Sequence, residues 1–210
     1  MGSGNRPDPF TTFAAVGIPV DILNCDTDQI IPARFLRLAN EHPDYPSFLW
    51  HDLRFNADGS EKDFIYNRAP YSAGRIVVAD INWGCGSSRE NAVTALQANA
   101  IRCVIAPSFG DIHYINCVRN GVLPVRLPAD VCSALRDQLR DHPGAELAID
   151  LDTQSVTGPD QTTYEFEIEA FDKYRLLNGL DDIGLTREFD DDISSFAESY
   201  QSRHRWASVK

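Results

Sequence analysis

The sequence predicts a layered α/β domain, and three stretches carry that prediction. Between residues 75 and 106 an apolar run, a glycine- and serine-rich turn, a helical segment and a second apolar run follow one another. Between 111 and 140 a helical segment, a short strand and an amphipathic helix continue the alternation. From 146 to 168 two segments alternate polar and apolar residues around a turn. Consecutive strands joined through a helix lie parallel, so the first two stretches imply helices layered on a sheet.

The elements follow in order. Residues 1–9 are polar, hold Gly, Asn, Asp and Pro, and read as a flexible arm without the apolar core of a secretion signal. Residues 10–200 read as a single domain and 201–210 as a polar C-terminal tail. Phe13 to Val16 is a short strand ended by Gly17 and Pro19. Asn24 to Pro32 is a polar turn running into an apolar segment. Asn40 to Tyr71 is irregular but aromatic, with Tyr45, Phe48, Trp50, Phe55, Phe64, Tyr66 and Tyr71. So long a connection is usually functional or interfacial, and its aromatic load argues against disorder.

Arg75 to Ala79 is a buried strand, Asn82 to Ser88 the turn, and Arg102 to Ala106 the next strand. Arg89 to Ala100 between them is a helix with Ala92, Ala95, Leu96 and Asn99 at helical spacing. Asp111 to Arg119 is a helix stopped by Asn120-Gly121, and Pro124 puts the strand Val122 to Leu127 at a sheet edge or bends it. Asp130 to Arg140 is an amphipathic helix with Val131, Ala134, Leu135 and Leu139 inward. Glu146 to Leu151 and Thr163 to Ile168 flank the turn Thr157-Gly-Pro-Asp160 as in a hairpin. Asp172 to Leu180 and Asp190 to Tyr200 close the chain, with Gly179 and Gly184 as stops.

Composition removes several classes of function. The residues are 43% hydrophobic and 24% charged, ordinary for a globular protein. The net charge of −12 repels a phosphate backbone, and the densest basic group is only Arg203, His204 and Arg205, so neither nucleic acid nor an anionic membrane is expected as a partner. No run of apolar residues is long enough to span a bilayer. The five cysteines, at 25, 85, 103, 117 and 132, are widely spaced and contain no C-x-x-C, so no metal is expected on this chain. Free thiols in a reducing cytoplasm are the default for such a chain.

Three stretches carry possible chemistry. Gly84-Cys-Gly-Ser-Ser-Arg-Glu90 sits between a strand and a helix. Its glycines permit a tight turn, Ser87 or Ser88 suits a helix cap, and Arg89 offers a planar fork for a carboxylate. It lacks the Gly-Lys-Ser/Thr of a nucleotide loop, and read alone it is also a plain capped turn. Asp26-Thr-Asp-Gln-Ile-Ile-Pro32 places two carboxylates one residue apart, to bind a cation, orient an arginine, contact a partner, or simply form a polar turn. In Ala106-Pro-Ser-Phe-Gly-Asp-Ile-His113, Ser108 or Asp111 suits a helix cap, and His113 is either a general base or a structural histidine.

Taken together these stretches resemble the small subunits of the isopropylmalate isomerase (3-isopropylmalate dehydratase) family within the aconitase superfamily. Asn116-Cys117, Asn120-Gly-Val-Leu-Pro124 and Leu177-Asn-Gly-Leu-Asp-Asp-Ile-Gly-Leu-Thr186 add to the resemblance, which runs from about Phe10 to Phe196. It implies the swivelling β/β/α fold of the aconitase C-terminal domain. It implies no cofactor on this chain and a 4Fe–4S cluster on a separate large subunit, where one iron acts as a Lewis acid on the substrate's hydroxyl and carboxylate. By resemblance Ser87 is the base and Arg89 grips a substrate carboxylate. Ser88 and neighbouring N–H groups help bind it, and Asp26, Thr27 and Asp28 form a supporting loop. Arg37 is set either against a distal carboxylate or in solvent.

The implied reaction interconverts 2- and 3-isopropylmalate on the route to leucine. The alternatives are a related hydro-lyase for citraconate, methylmalate, maleate or homoaconitate, or a non-catalytic protein of the same fold. Two positions depart from the family's usual pattern. Asn91-Ala-Val-Thr94 stands where His-Ala-Pro-Trp is usual, and Arg175 where a cysteine or similar residue is common. The aromatic segment 45–71 is expected either at the surface between subunits or packed on its own domain.

Overall fold

The computed structural model describes residues 7–204 and 206. Its strands are β1 (Thr12–Pro19), β2 (Ile76–Val78), β3 (Cys103–Ala106), β4 (Leu123–Arg126), β5 (Glu146–Asp150), β6 (Ser155–Thr157) and β7 (Thr163–Glu165). They form one seven-stranded sheet in the order β4-β3-β2-β1-β5-β6-β7. From β1 to β4 neighbouring strands are parallel, and from β1 through β5 and β6 to β7 they are antiparallel. Chain connectivity explains the change of direction. Long connections carrying helices separate the first four strands, whereas short turns join β5, β6 and β7.

The connection from β1 to β2 holds the one-turn helices α1 (Thr27–Ile30) and α2 (His51–Arg54). Helices α3 (Asn91–Ala98), α4 (Asp111–Arg119) and α5 (Ala129–Asp141) follow β2, β3 and β4. Helices α6 (Ala170–Asn178), α7 (Asp182–Arg187) and α8 (Asp190–Arg203) end the described chain.

Both faces of the parallel half are covered, which is why β2 and β3 read as unbroken apolar runs. Val77 and Val104 face a core built with Ala92, Val93, Ala95 and Leu96 of α3. Ile76, Val78, Cys103 and Ile105 face a second core, closed by Cys132, Leu135 and Leu139 of α5. Tyr45, Phe48, Trp50 and Tyr66 of the aromatic segment belong to the first core. Tyr45, Phe48, Trp50, Tyr66 and Tyr71 are all buried, and Trp50 lies edge-on to Tyr66, Phe64 and Trp83. These buried rings pack on their own domain, while Phe55 and Phe64 are half-buried.

Several boundaries differ from the expectation. β1 runs through Gly17 to Pro19 instead of stopping there. A Cβ on Gly17 would lie 2.6 Å from the Leu139 methyls, so the residue that looked like a strand terminator is a gap for α5. In α5 Cys132 and Arg136 are buried and Ala134 is exposed. The turn 157–160 joins β6 to β7, a pairing hidden by the three-residue length of β6. Gly184 lies inside α7, N-capped by Asp181, and is no stop. Gln201 to Arg203 belong to α8, not to the tail. Of the arm, residues 1–6 lie outside the described residues, as do 205 and 207–210 of the tail.

Arg136 stitches the layers together. From α5 it donates to Asp21 Oδ1 (2.7 Å), Asp80 Oδ2 (2.9 Å) and the carbonyl of Ala79 (2.6 Å), with only 7% of its side chain exposed. Removing it leaves Oδ2 of the partly buried Asp80 and the Ala79 carbonyl without the donor it supplies. Arg136→Leu is expected to lower unfolding free energy by about 3 kcal/mol in urea titrations, the scale for breaking a buried ion pair.

Candidate active site

Three loops meet beyond the C-terminal ends of the parallel strands, where ligands bind in open α/β sheets. They follow β1 (24–28), β2 (82–90) and β3 (107–111). Two short parallel bridges, Asp26 with Cys85 and Trp83 with Phe109, lock the middle loop between the others. Gly84 N–H donates to the Cys25 carbonyl (2.7 Å), and Thr27 N–H to the Cys85 carbonyl (3.0 Å). On the other side Trp83 N–H donates to the Ser108 carbonyl (3.0 Å), and Gly110 N–H to the Trp83 carbonyl (2.8 Å). Ser108 does not cap α4, whose N-cap is Gly110; its Oγ instead accepts from Asn82 N–H at 2.9 Å.

Glycine is required in the middle loop. Gly84 and Gly86 have φ of +70° and +88°, the left-handed region costly for other residues. A Cβ on Gly84 would also stand 2.2 Å from the ring of His113. His113, in the first turn of α4, is therefore the floor of the turn. It is 3% exposed and neither ring nitrogen has a partner among the described residues, so general base is not its role. Burial pushes its pKa down to about 4, which keeps the ring neutral.

Past Gly86 the chain turns outward. Ser87 and Ser88 are exposed, and neither hydroxyl has a partner among the described residues. They do not cap α3, which begins only at Asn91 with Glu90 as N-cap. The backbone N–H groups of Gly86 through Glu90 likewise donate to no group among the described residues. The carbonyl of Ser87 is fixed, because buried Thr27 donates to it through Oγ1 at 2.9 Å.

The loop after β1 divides its work by residue. Asp26 forms a capping box with Gln29, accepting from Gln29 N–H at 2.8 Å while Gln29 Oε1 accepts from Asp26 N–H at 2.9 Å. The spacing Asp26-x-x-Gln29 is a legible signal for that box. Asp28 pairs with Arg89 Nη1 and also accepts from Ala33 N–H at 3.1 Å. The Arg89 hydrogen bond leads in holding the Asp28 carboxyl below its usual range. Of the alternatives for this loop, orientation of an arginine is the one the geometry presents. Arg37 is exposed, with no hydrogen bond or ion pair among the described residues, and is not tied to this group.

Asn91 was legible as a departure but its contacts were not. Its Nδ2 donates to Tyr45 Oη (3.3 Å), which also meets Thr94 Oγ1 (2.7 Å), so the start of α3 is fastened to the aromatic segment. The cysteines do not fit a cluster. Cys25, Cys103, Cys117 and Cys132 are buried, with burial raising each thiol, that of Cys132 to about 12. Among the described residues no group of three or more His, Cys, Asp or Glu side chains could hold a metal ion.

A mixed α/β domain that presents a serine–serine–arginine turn at the open end of its parallel strands is the aconitase C-terminal type of domain. Residues 8–130 match the family model of the aconitase C-terminal domain, and residues 133–170 match a second model, LeuD_N. The chain is 43% identical over 200 residues to the 3-isopropylmalate dehydratase small subunit of Paramagnetospirillum magneticum, covering 95% of this chain and 99% of that one. It is 46% identical over 201 residues to the protein of that name from Nitrobacter winogradskyi, covering 95% and 100%. The crystal structure of 3-isopropylmalate dehydratase from Methanocaldococcus jannaschii superposes with a TM-score of 0.63 at 26% identity, covering 88% of this chain and 98% of that one. The chain belongs to the 3-isopropylmalate dehydratase small-subunit family.

The buried histidine makes a prediction. Its folded pKa lies below the unfolded value of about 6.5, so the neutral ring's contribution is complete above that pH and is lost as pH falls toward 4. Urea unfolding at pH 7 and pH 4.5 should show the parent losing about 2 kcal/mol more than His113→Phe. Equal losses in both proteins would show that the ring is not held neutral.

Proposed function

We propose that this chain supplies the base and the carboxylate grip of a hydro-lyase that interconverts 2- and 3-isopropylmalate, a step toward leucine. The observation that carries the reading is the convergence of exposed Ser87 and Ser88 with Arg89 on one pinned turn, in a chain that matches such small subunits end to end. The active unit in this reading is a complex with the large subunit, which carries the 4Fe–4S cluster. This acidic chain has no nucleic-acid partner in the reading, and it works in the cytoplasm. Among the described residues no helix is long and apolar enough to cross a membrane.

Dehydration of a 2-hydroxy acid requires removal of a proton from the carbon beside the one bearing the hydroxyl. Ser87 Oγ takes that proton while the hydroxyl leaves as water, a departure that the large subunit's Lewis acid would assist; on rehydration Ser87 returns the proton to the carbon that bore the hydroxyl and water adds at its neighbour. A serine hydroxyl is far too weak an acid to be a base unaided, so its alkoxide needs donors already aimed at it. The N–H groups of Gly86 through Glu90, which donate to no other group among the described residues, and the positive end of α3, which begins at Asn91, would supply that stabilisation. Arg89, with one nitrogen on Asp28, keeps the rest of its fork for a substrate carboxylate. Thr27 holds the Ser87 backbone through its carbonyl. A second reading, a hydro-lyase acting on a related 2-hydroxy acid, rests on the departure at Asn91, whose side chain is turned onto Tyr45.

Ser87→Ala in the assembled complex is expected to lower kcat by about 10²–10⁴, the range for loss of a general base, while subunit association on gel filtration is unchanged. Near-normal turnover removes Ser87 from the role. The purified chain alone should turn over no substrate. A panel of 2-hydroxy acids given to the complex decides between the readings, with isopropylmalate expected as the best substrate.

A further inference from the structure

One oxygen of Asp28 does two jobs. Oδ1 accepts from Arg89 Nη1, and it accepts from Ala33 N–H at 3.1 Å, the first N–H of the tight turn Ala33–Phe35. Arg89 is the more enclosed partner, with 15% of its side chain exposed against 53% for Asp28. Its Nε and Nη2 have no hydrogen-bond partner among the described residues. The guanidinium therefore has one edge spoken for and one edge free. A planar fork with one edge tied is an oriented fork, and orientation is what a bidentate carboxylate contact needs. Asp26 adds a weaker attraction from the same loop.

We propose that Asp28 is a positioning residue for substrate binding: it aims the free edge of Arg89 and couples that aim to the backbone of the segment beginning at Ala33. The proposal rests on the reading of Arg89 as the carboxylate grip. Two effects oppose each other when Asp28 is removed. Freeing the arginine stem restores rotamer entropy that binding must then quench, a loss of up to roughly thirty-fold in affinity. Removing a negative charge near an anionic substrate returns affinity, but for a half-exposed carboxylate in water only up to about five-fold. Orientation is the larger effect, so the net is weaker binding.

The test uses the complex with the large subunit and 3-isopropylmalate as substrate. Asp28→Ala is expected to raise KM about five-fold with kcat within about two-fold of the parent. Asp28→Asn, whose amide oxygen still accepts from both Arg89 and Ala33, should return KM to within about two-fold. In an Arg89→Gln background Asp28→Ala should add nothing further, because its effect runs through Arg89. Amide exchange at Ala33 should speed up in Asp28→Ala and stay as in the parent in Asp28→Asn. Melting temperature and gel filtration of each complex separate these effects from misfolding. An unchanged or lowered KM in Asp28→Ala, or an increase that persists in full without Arg89, overturns the proposal alone. If Arg89→Gln itself leaves KM unmoved, the reading of the grip fails, and this proposal with it.

Discussion

The N–H of Gly84 reaches the carbonyl of Cys25 at 2.7 Å while its α-carbon lies against the ring of His113. Those contacts close three loops into one rigid corner. The loop after β1 is held on one side, the loop after β3 on the other, and the middle loop has no slack left. Because the corner leaves no room for a side chain, the chain leaves it in a left-handed turn at Gly84 and Gly86 and delivers Ser87 and Ser88 to the surface. A residue with a Cβ at position 84 would move His113 or the turn, and the serines with it.

Charge is arranged around this corner with the same economy. The Asp26 carboxylate serves the capping box of α1, the Thr27 hydroxyl donates to the carbonyl of Ser87, and the Asp28 carboxylate pairs with Arg89. Three consecutive residues thus serve the helix, the backbone and the side chain of the neighbouring loop. Alternation along an extended run would put Asp26 and Asp28 on one face. The one-turn helix that starts between them gives them different tasks.

Much of this was legible because it is written in local pattern. The four-residue strand β3 is continuously apolar, and α4 begins and ends where a helix start and an Asn-Gly stop place it. The strand containing Pro124 lies at the sheet edge, where its missing N–H costs nothing. What was not legible depends on distant partners. Gly17 reads as a terminator until Leu139 is seen against it, and Gly184 reads as a stop until Asp181 is seen capping its helix. The aromatic segment 45–71 gave no sign of which surface it would choose, since rings suit a core and an interface equally. In the site, Ser87, Arg89 and the residues Asp26 to Asp28 were found by motif, but which carboxylate met the arginine was set by the bridge between Asp26 and Cys85. Arg37 is exposed and makes no hydrogen bond or ion pair among the described residues, so both of its alternatives stay open.

Every residue of the candidate site lies before position 130, where the match to the aconitase C-terminal model ends, and the second match begins only at 133, within the first turns of α5. That helix packs across β1, β2 and β3 and covers Ile76, Val78, Cys103 and Ile105. The join between the two family segments is therefore not a place where the molecule can be divided. A fragment ending there would keep all the site's side chains and lose the lid of half its core, leaving an apolar sheet face open to water. Chemistry and cohesion are carried by different lengths of the same chain, and the later length is what makes the earlier one foldable.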